Sequence, residues 1–134
     1  SDDGDAKLGT FCTTPAIRSP FSNWFSELLG TFVLVLVVLL FASPKMVLAE
    51  ETGMVGLGAV GALPVGLLVF SIGLSLGGTT GYAINPARDL SPRLMHSLLP
   101  IPGKRDSDWA YAWVPIIGPV CGALLAALVY LCLI

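Results

Sequence analysis

GGTTGYAINPARDLSPRLMHSLLPIPGKRDSD, residues 77 to 108, lies between two strongly apolar runs, and how it is read decides the fold. Its own apolar run is only about a dozen residues long, too short to cross roughly 30 Å of hydrocarbon as a helix. Gly77, Gly78 and Gly81 are expected to break the preceding helix into irregular backbone. Asn85 is suited to cap a new helix, and Pro86 to occupy its first position. Pro100, Pro102 and Gly103 close that helix at its far end. The pattern predicts a half-helix that enters the membrane and leaves on the same side, which is tolerated only where the bare backbone lines a wet cavity.

The flanking runs fit that setting. Trp24 to Ala42 supplies a first span, helix A, over about 22–42, and Ser43-Pro44-Lys45 ends it. The connection over 43–55 is polar and carries Glu50 and Glu51. Helix B runs over 56–78 with Pro64 near its start. The re-entrant loop and half-helix cover 79–99. Helix C covers 109–134 and is entered through Trp109, Tyr111 and Trp113, an interfacial aromatic cluster. Residues 1–20 begin with Ser-Asp-Asp-Gly-Asp and read as a hydrophilic loop. The expected fold class is an all-α membrane protein: three transmembrane helices plus one re-entrant half-helix.

Composition agrees, with 134 residues that are 54% hydrophobic and 12% charged and a mean hydropathy of +0.82, well above what a soluble domain of this size shows. Seven basic residues in a chain of formal charge −2 form no basic stripe, so nucleic acid is not an expected partner. Cys12, Cys121 and Cys132 are odd in number, and two sit in apolar runs; neither a disulfide nor a metal site is expected, and no cofactor. The chain starts without Met and without a signal, as if in the middle of something longer. Three spans and one re-entrant loop need protein opposite to enclose them, which inverted repeats provide with a second copy. No internal repeat is found, so that copy is expected upstream or on another chain.

Several residues carry two readings. Asn85 and Pro86 form an ordinary cap, or a cap whose amide donors and positive dipole end face a pore. Arg88 is either a snorkelling surface residue or one turned toward water, where its guanidinium can donate to two neighbouring hydroxyls. The carbonyls of Thr80, Gly81, Tyr82 and Ala83 lack helical partners and can form an acceptor ladder. Glu27, inside an apolar span, is a proton relay or a buried strut. Asp89, in the first turn of the half-helix, favours the dipole and can pair with a neighbouring base. His96 has no metal-ligand partners in spacing. Gly118-xxx-Gly122 and Gly73-xxx-Gly77 suit close helix crossings.

Asn85-Pro86-Ala87-Arg88-Asp89 resembles the second NPA box of the aquaporin family, and Asp89 resembles its glycerol-conducting branch. Arg93, Pro115-Ile116, Thr79-Thr-Gly-Tyr-Ala83, Glu27-Leu-Leu-Gly-Thr31 and Gly9-Thr-Phe-Cys-Thr-Thr-Pro-Ala16 extend the resemblance over nearly the whole chain. The resemblance implies one of two inverted repeats of an aquaporin-like channel, the C-terminal one, over 21–134. It implies passive conduction of glycerol, small polyols and water, an N-terminal repeat as partner, a homotetramer of the full channel, and a plasma or bacterial inner membrane. It places Arg88, Tyr82 and Gly73 in an aromatic/arginine constriction. There Gly73 leaves width for a carbon backbone and Tyr82 offers a flat apolar wall, unless Tyr82 is merely an interfacial aromatic. It also supports the strut reading of Glu27.

An enzyme would need a nucleophile, an acid/base pair or metal ligands near the loop, and no such set is present. An ion-coupled transporter and a nonconducting half-channel remain as alternatives. Orientation is in conflict: Lys7, Arg18, Lys104 and Arg105 against Lys45 would put the N-terminal end in the cytoplasm. The resemblance makes 1–20 extracellular and 43–55 cytoplasmic.

Overall fold

A computed structural model describes residues 2–41, 45–48, 51–54 and 56–134. Five α-helices carry the architecture: α1 (Asp2–Phe11), α2 (Pro20–Leu40), α3 (Leu63–Thr80), α4 (Pro86–Leu98) and α5 (Trp113–Leu133). Together with the 3₁₀ turn Gly58–Ala62 that leads into α3, the segments Pro20–Leu40, Gly58–Thr80 and Trp113–Leu133 are long and apolar enough to cross a membrane. At 1.5 Å per residue, 21 residues reach about 31 Å. The chain is a multi-pass membrane protein with a short fourth helix packed among three spans.

Glycine brings α2 and α5 together. A Cβ placed on Gly118 would lie 2.7 Å from the Glu27 Cβ, and one on Gly122 2.2 Å from the Leu28 carbonyl oxygen. The two backbones therefore touch, as small residues permit in a membrane where apolar burial gives no driving force. Gly30 does the same for α2 against the re-entrant loop, its notional Cβ falling 2.9 Å from the Ile84 side chain.

The structure differs from the sequence reading in five places. The opening stretch expected as loop contains α1, in which Lys7 pairs with Asp3 one turn away and Leu8 is buried. The local pair supports the helix, and Leu8, the Lys7 bond to the Pro102 carbonyl and the Arg105–Asp5 pair hold it in place over α4. Gly77 and Gly78 are helical, and the break comes at Gly81, whose φ of +77° caps α3 in the left-handed conformation that glycine adopts freely. Helix B opens as a 3₁₀ turn. Regular α-helix in the last span begins at Trp113, after turns over 109–112. The polar connection carries an antiparallel pair, β1 (Lys45–Leu48) and β2 (Glu51–Met54), in the register Leu48 to Glu51. The Ser43-Pro44 stop and Glu50 lie outside the described residues.

Candidate functional site

Everything at the site hangs from how residues 81–85 are held between α3 and α4. Tyr82 and Ile84 have φ of +40° and +43°, a region that costs a non-glycine residue about 1–3 kcal/mol, most for a β-branched one. The opposing contribution comes from Glu27, only 1% exposed. Its Oε1 accepts from the Ala83 N–H at 2.8 Å and its Oε2 from the Ile84 N–H at 2.6 Å. Charge-assisted bonds to backbone are about twice as strong as neutral ones. Two consecutive amides thus point at one buried carboxylate, and the chain between them cannot relax into a helix. Thr80 Oγ1 adds a bond from the Tyr82 N–H at 3.1 Å.

Asn85 is the N-cap of α4, extended at φ −158°, with Oδ1 accepting from the Ala87 N–H at 2.9 Å and Pro86 in the first turn. The cap uses the amide's acceptor and leaves its Nδ2 donors for the open groove it lines. That groove, about 410 Å³, is bounded by Thr31, Leu34, Val35, Val69, Ala83, Ile84, Asn85, Pro86, Arg88, Pro119, Val120 and Ala123. Arg88 is exposed to it, yet fixed: one terminal nitrogen donates to the carbonyls of Gly81 and Tyr82, both at 3.1 Å. Its guanidinium carbon lies 4.6 Å from the centre of the Tyr82 ring.

The Tyr82 ring fills the space beside glycine. A Cβ on Gly73 would meet it at 3.3 Å and one on Gly77 at 3.4 Å. The Gly73 and Gly77 pair therefore receives a ring and not a neighbouring helix, contrary to the crossing expected from its spacing. A second groove of about 410 Å³ runs along Gly66, Val69, Phe70, Gly73, Leu74 and Tyr82. Val69 borders both. Donors, acceptors and an apolar wall thus share one continuous face, while Thr80 and Ala83 are buried as whole residues, which shortens the expected ladder of four carbonyls to those of Gly81 and Tyr82.

Asp89 and Arg93 form a hub the sequence showed only in part. Both are 0% exposed and paired at 2.7 Å, and Arg93 further donates to the carbonyls of Ser107 and Asp108 at 2.7 and 2.9 Å and of Thr13 at 3.2 Å. Thr13 returns its N–H and hydroxyl to Asp89 at 2.8 and 2.6 Å. Asp108 in turn binds Arg18 through both oxygens, and this pairing pushes the Arg18 guanidinium further up from its usual value. No sequence signal marked Thr13, Ser107 or Asp108 as partners, because they are 14 to 80 residues away from the Asp89 and Arg93 groups they meet. In the segment after α4, Arg105 binds Asp5 and holds its carboxyl below the usual range. Among the described residues no group of three or more His, Cys, Asp or Glu is placed to hold a metal ion.

The sequence profile described as major intrinsic protein matches residues 3–130. A protein named probable glycerol uptake facilitator from Thermotoga maritima is 56% identical over 130 residues, which is 97% of this chain and 51% of that one. The glycerol uptake facilitator of Streptococcus pneumoniae is 56% identical over 123 residues, 92% of this chain and 48% of the relative. A D/L-lactic acid transporter of Lactiplantibacillus plantarum is 46% identical over 118 residues, 87% of this chain and 45% of its own. The chain spans about half the length of the curated relatives it matches.

Proposed function

The chain belongs to the major intrinsic protein family, and we propose that it is the C-terminal half of a passive channel for glycerol, other small neutral polyols and water. The observation that carries this reading is that Arg88 and Asn85 offer donors, and Gly81 and Tyr82 carbonyls offer acceptors, beside the flat Tyr82 ring. A polyol has hydroxyls along one edge and C–H groups along the other. Its hydroxyls exchange water for these groups while its carbon backbone slides on the ring. A cation meets the Arg88 charge and the positive end of α4 in a poorly screened setting, and the two carbonyls, already holding the Arg88 guanidinium, do not make up for its lost hydration.

The groove is open along one side, and the wall that completes it is an N-terminal repeat related by inverted topology. We assign residues 1–20 and the 99–112 segment to the outer side, the β1–β2 connection to the cytoplasm, and the complete channel to a homotetramer in a plasma or bacterial inner membrane. In this reading every group named acts by hydrogen bonding or charge, and the solute leaves chemically unchanged. The test is stopped-flow light scattering on liposomes holding this chain alone and with an N-terminal repeat. Glycerol flux with the pair, unchanged by protonophore or sodium removal, supports the channel and excludes ion coupling. Flux with neither overturns it. The lactic acid relative favours a second solute for the same groove: undissociated lactic acid, a neutral three-carbon hydroxy compound. Lactate-dependent acidification of the liposome interior reads that reading directly.

A further inference from the structure

His96 lies late in α4, far from the groove, and is 0% exposed. Its Nδ1 lies 2.8 Å from the Ser107 hydroxyl, and the Phe11 ring of α1 covers it at 5.4 Å between centroids. Nε2 is buried and has no partner among the described residues, which is unusual for a buried ring nitrogen. The same turn is crowded with positive charge. Arg93, fully buried, is one turn earlier, and the Lys104 ammonium donates to the His96 carbonyl, to the Ser97 carbonyl at 3.0 Å and to the Leu99 carbonyl at 2.6 Å.

The groups that face His96 are Arg93 from its own helix and Lys104 and Asp106 from the strap, residues 99–112. Asp89 is taken by Arg93, Asp108 by Arg18, and Asp106 by Arg105 and the Asp108 N–H. From α1 comes the Phe11 ring, which carries no charge. An imidazolium here would add a third cation to Arg93 and Lys104, and its Nε2–H would find no acceptor. Opening the strap relieves both costs.

We propose that the His96–Ser107 contact is a proton-operated latch: protonation of His96 frees the strap from α4 and shuts down conduction. The route to the groove is contiguous. Ser107 holds His96 through its hydroxyl and Arg93 through its carbonyl. When Ser107 leaves, Arg93 loses acceptors, Asp89 loses its setting, and the neighbouring Arg88 is no longer fixed on the Gly81 and Tyr82 carbonyls. The closed latch carries neutral histidine, and the open one binds a proton with an ordinary pKa of about 6.5. The strap is therefore fully held above that pH and released as pH falls below it.

This inference rests on the channel reading, and the experiment separates the two. Glycerol flux is measured from pH 8 to 5 in liposomes holding this chain with an N-terminal repeat, alongside hydrogen exchange of residues 99–112 corrected for its intrinsic pH dependence. The parent should lose about fivefold of its flux between pH 7.5 and 5.5, with exchange rising over the same range. His96→Gln, which keeps a partner for Ser107 but does not titrate, should be flat. Lys104→Met, which removes one of the cations that make the imidazolium costly in the closed latch, should shrink the loss of flux and move its midpoint to lower pH, whereas loss of a merely structural lysine would loosen the strap and move it to higher pH; a shift to higher pH overturns the latch. A flat parent profile, or an equal drop in His96→Gln, overturns the latch. If His96→Gln does not fold, an unmoved midpoint in Lys104→Met overturns it. Absence of glycerol flux at every pH overturns the channel reading instead, and protection of residues 99–112 that does not change with pH then overturns the latch.

Discussion

Two glycine pairs with the same spacing serve different ends in this molecule. At Gly118 and Gly122 the missing side chains admit the backbone of α2, with a notional Cβ only 2.2 Å from the Leu28 carbonyl oxygen. At Gly73 and Gly77 they admit the ring of Tyr82, at 3.3 and 3.4 Å. Backbone cannot yield, whereas a ring can turn. Four-residue spacing announces close approach and is silent on what approaches. The first pair should therefore govern folding and the second permeation.

The sharpest break of that comparison is Gly122→Val. With carbonyl oxygen in the way, α2 and α5 must separate, at a cost of about 3 kcal/mol or more. The denaturation midpoint in detergent should collapse, and a variant as stable as the parent would show that the helices cross elsewhere.

Glu27→Gln comes next, since it exchanges one acceptor oxygen for a donor facing an N–H. The loss should be about 1–3 kcal/mol, with water and glycerol flux falling together because the strained 82–84 backbone is no longer held. Retention of both stability and flux would sink the role of the carboxylate.

Gly73→Phe tests the other pair. Chain stability should change little while glycerol flux drops by about tenfold or more, equivalent to about 1.4 kcal/mol in barrier, and water flux largely survives in a narrower passage. Glycerol flux equal to the parent's would remove Gly73 from the filter. Arg88→Ala should affect water less still and register as a cation current under voltage, absent from the parent.

The smallest effect concerns thiol chemistry. Asn85→Cys, Arg88→Cys and Tyr82→Cys should react with a small thiol reagent from one side of the membrane. Native Cys12, buried and with its thiol pushed up to about 11, should stay unlabelled at pH 7. Rapid modification of Cys12 would mean that α1 does not rest on α4.

Those outcomes bear on what could be read without coordinates. The three spans and the half-helix were legible because each depends on length, hydropathy and nearest neighbours: a proline, an asparagine cap, an apolar run of the right extent. The position of the break was not, because Gly77, Gly78 and Gly81 are equally permissive and only Gly81 meets Thr13, at 3.2 Å from its notional Cβ. The helical opening stretch was missed for a related reason, its stability coming from Arg105, Pro102 and α4 rather than from its own propensity. Chemistry-bearing residues of the groove could be named from their types and a known motif. Their fastening could not: the Arg93 hub closes over Thr13, Ser107 and Asp108, and no local pattern says which distant residues these three meet.

One further consequence follows from the length of α4. Thirteen residues at 1.5 Å each make a rod of about 20 Å, whose C-terminal end is pinned by Lys104, whose body is pinned by the Asp89–Arg93 hub and whose N-terminal end carries Asn85. It works as a ruler. Adding or deleting one residue between Arg88 and Arg93 would shift Asn85 and Arg88 by about 1.5 Å along the helix axis and swing them by about 100° around it. Substitutions along this helix can be graded, but insertions and deletions are all or nothing. A lineage can vary the chemistry of α4 far more readily than its residue count.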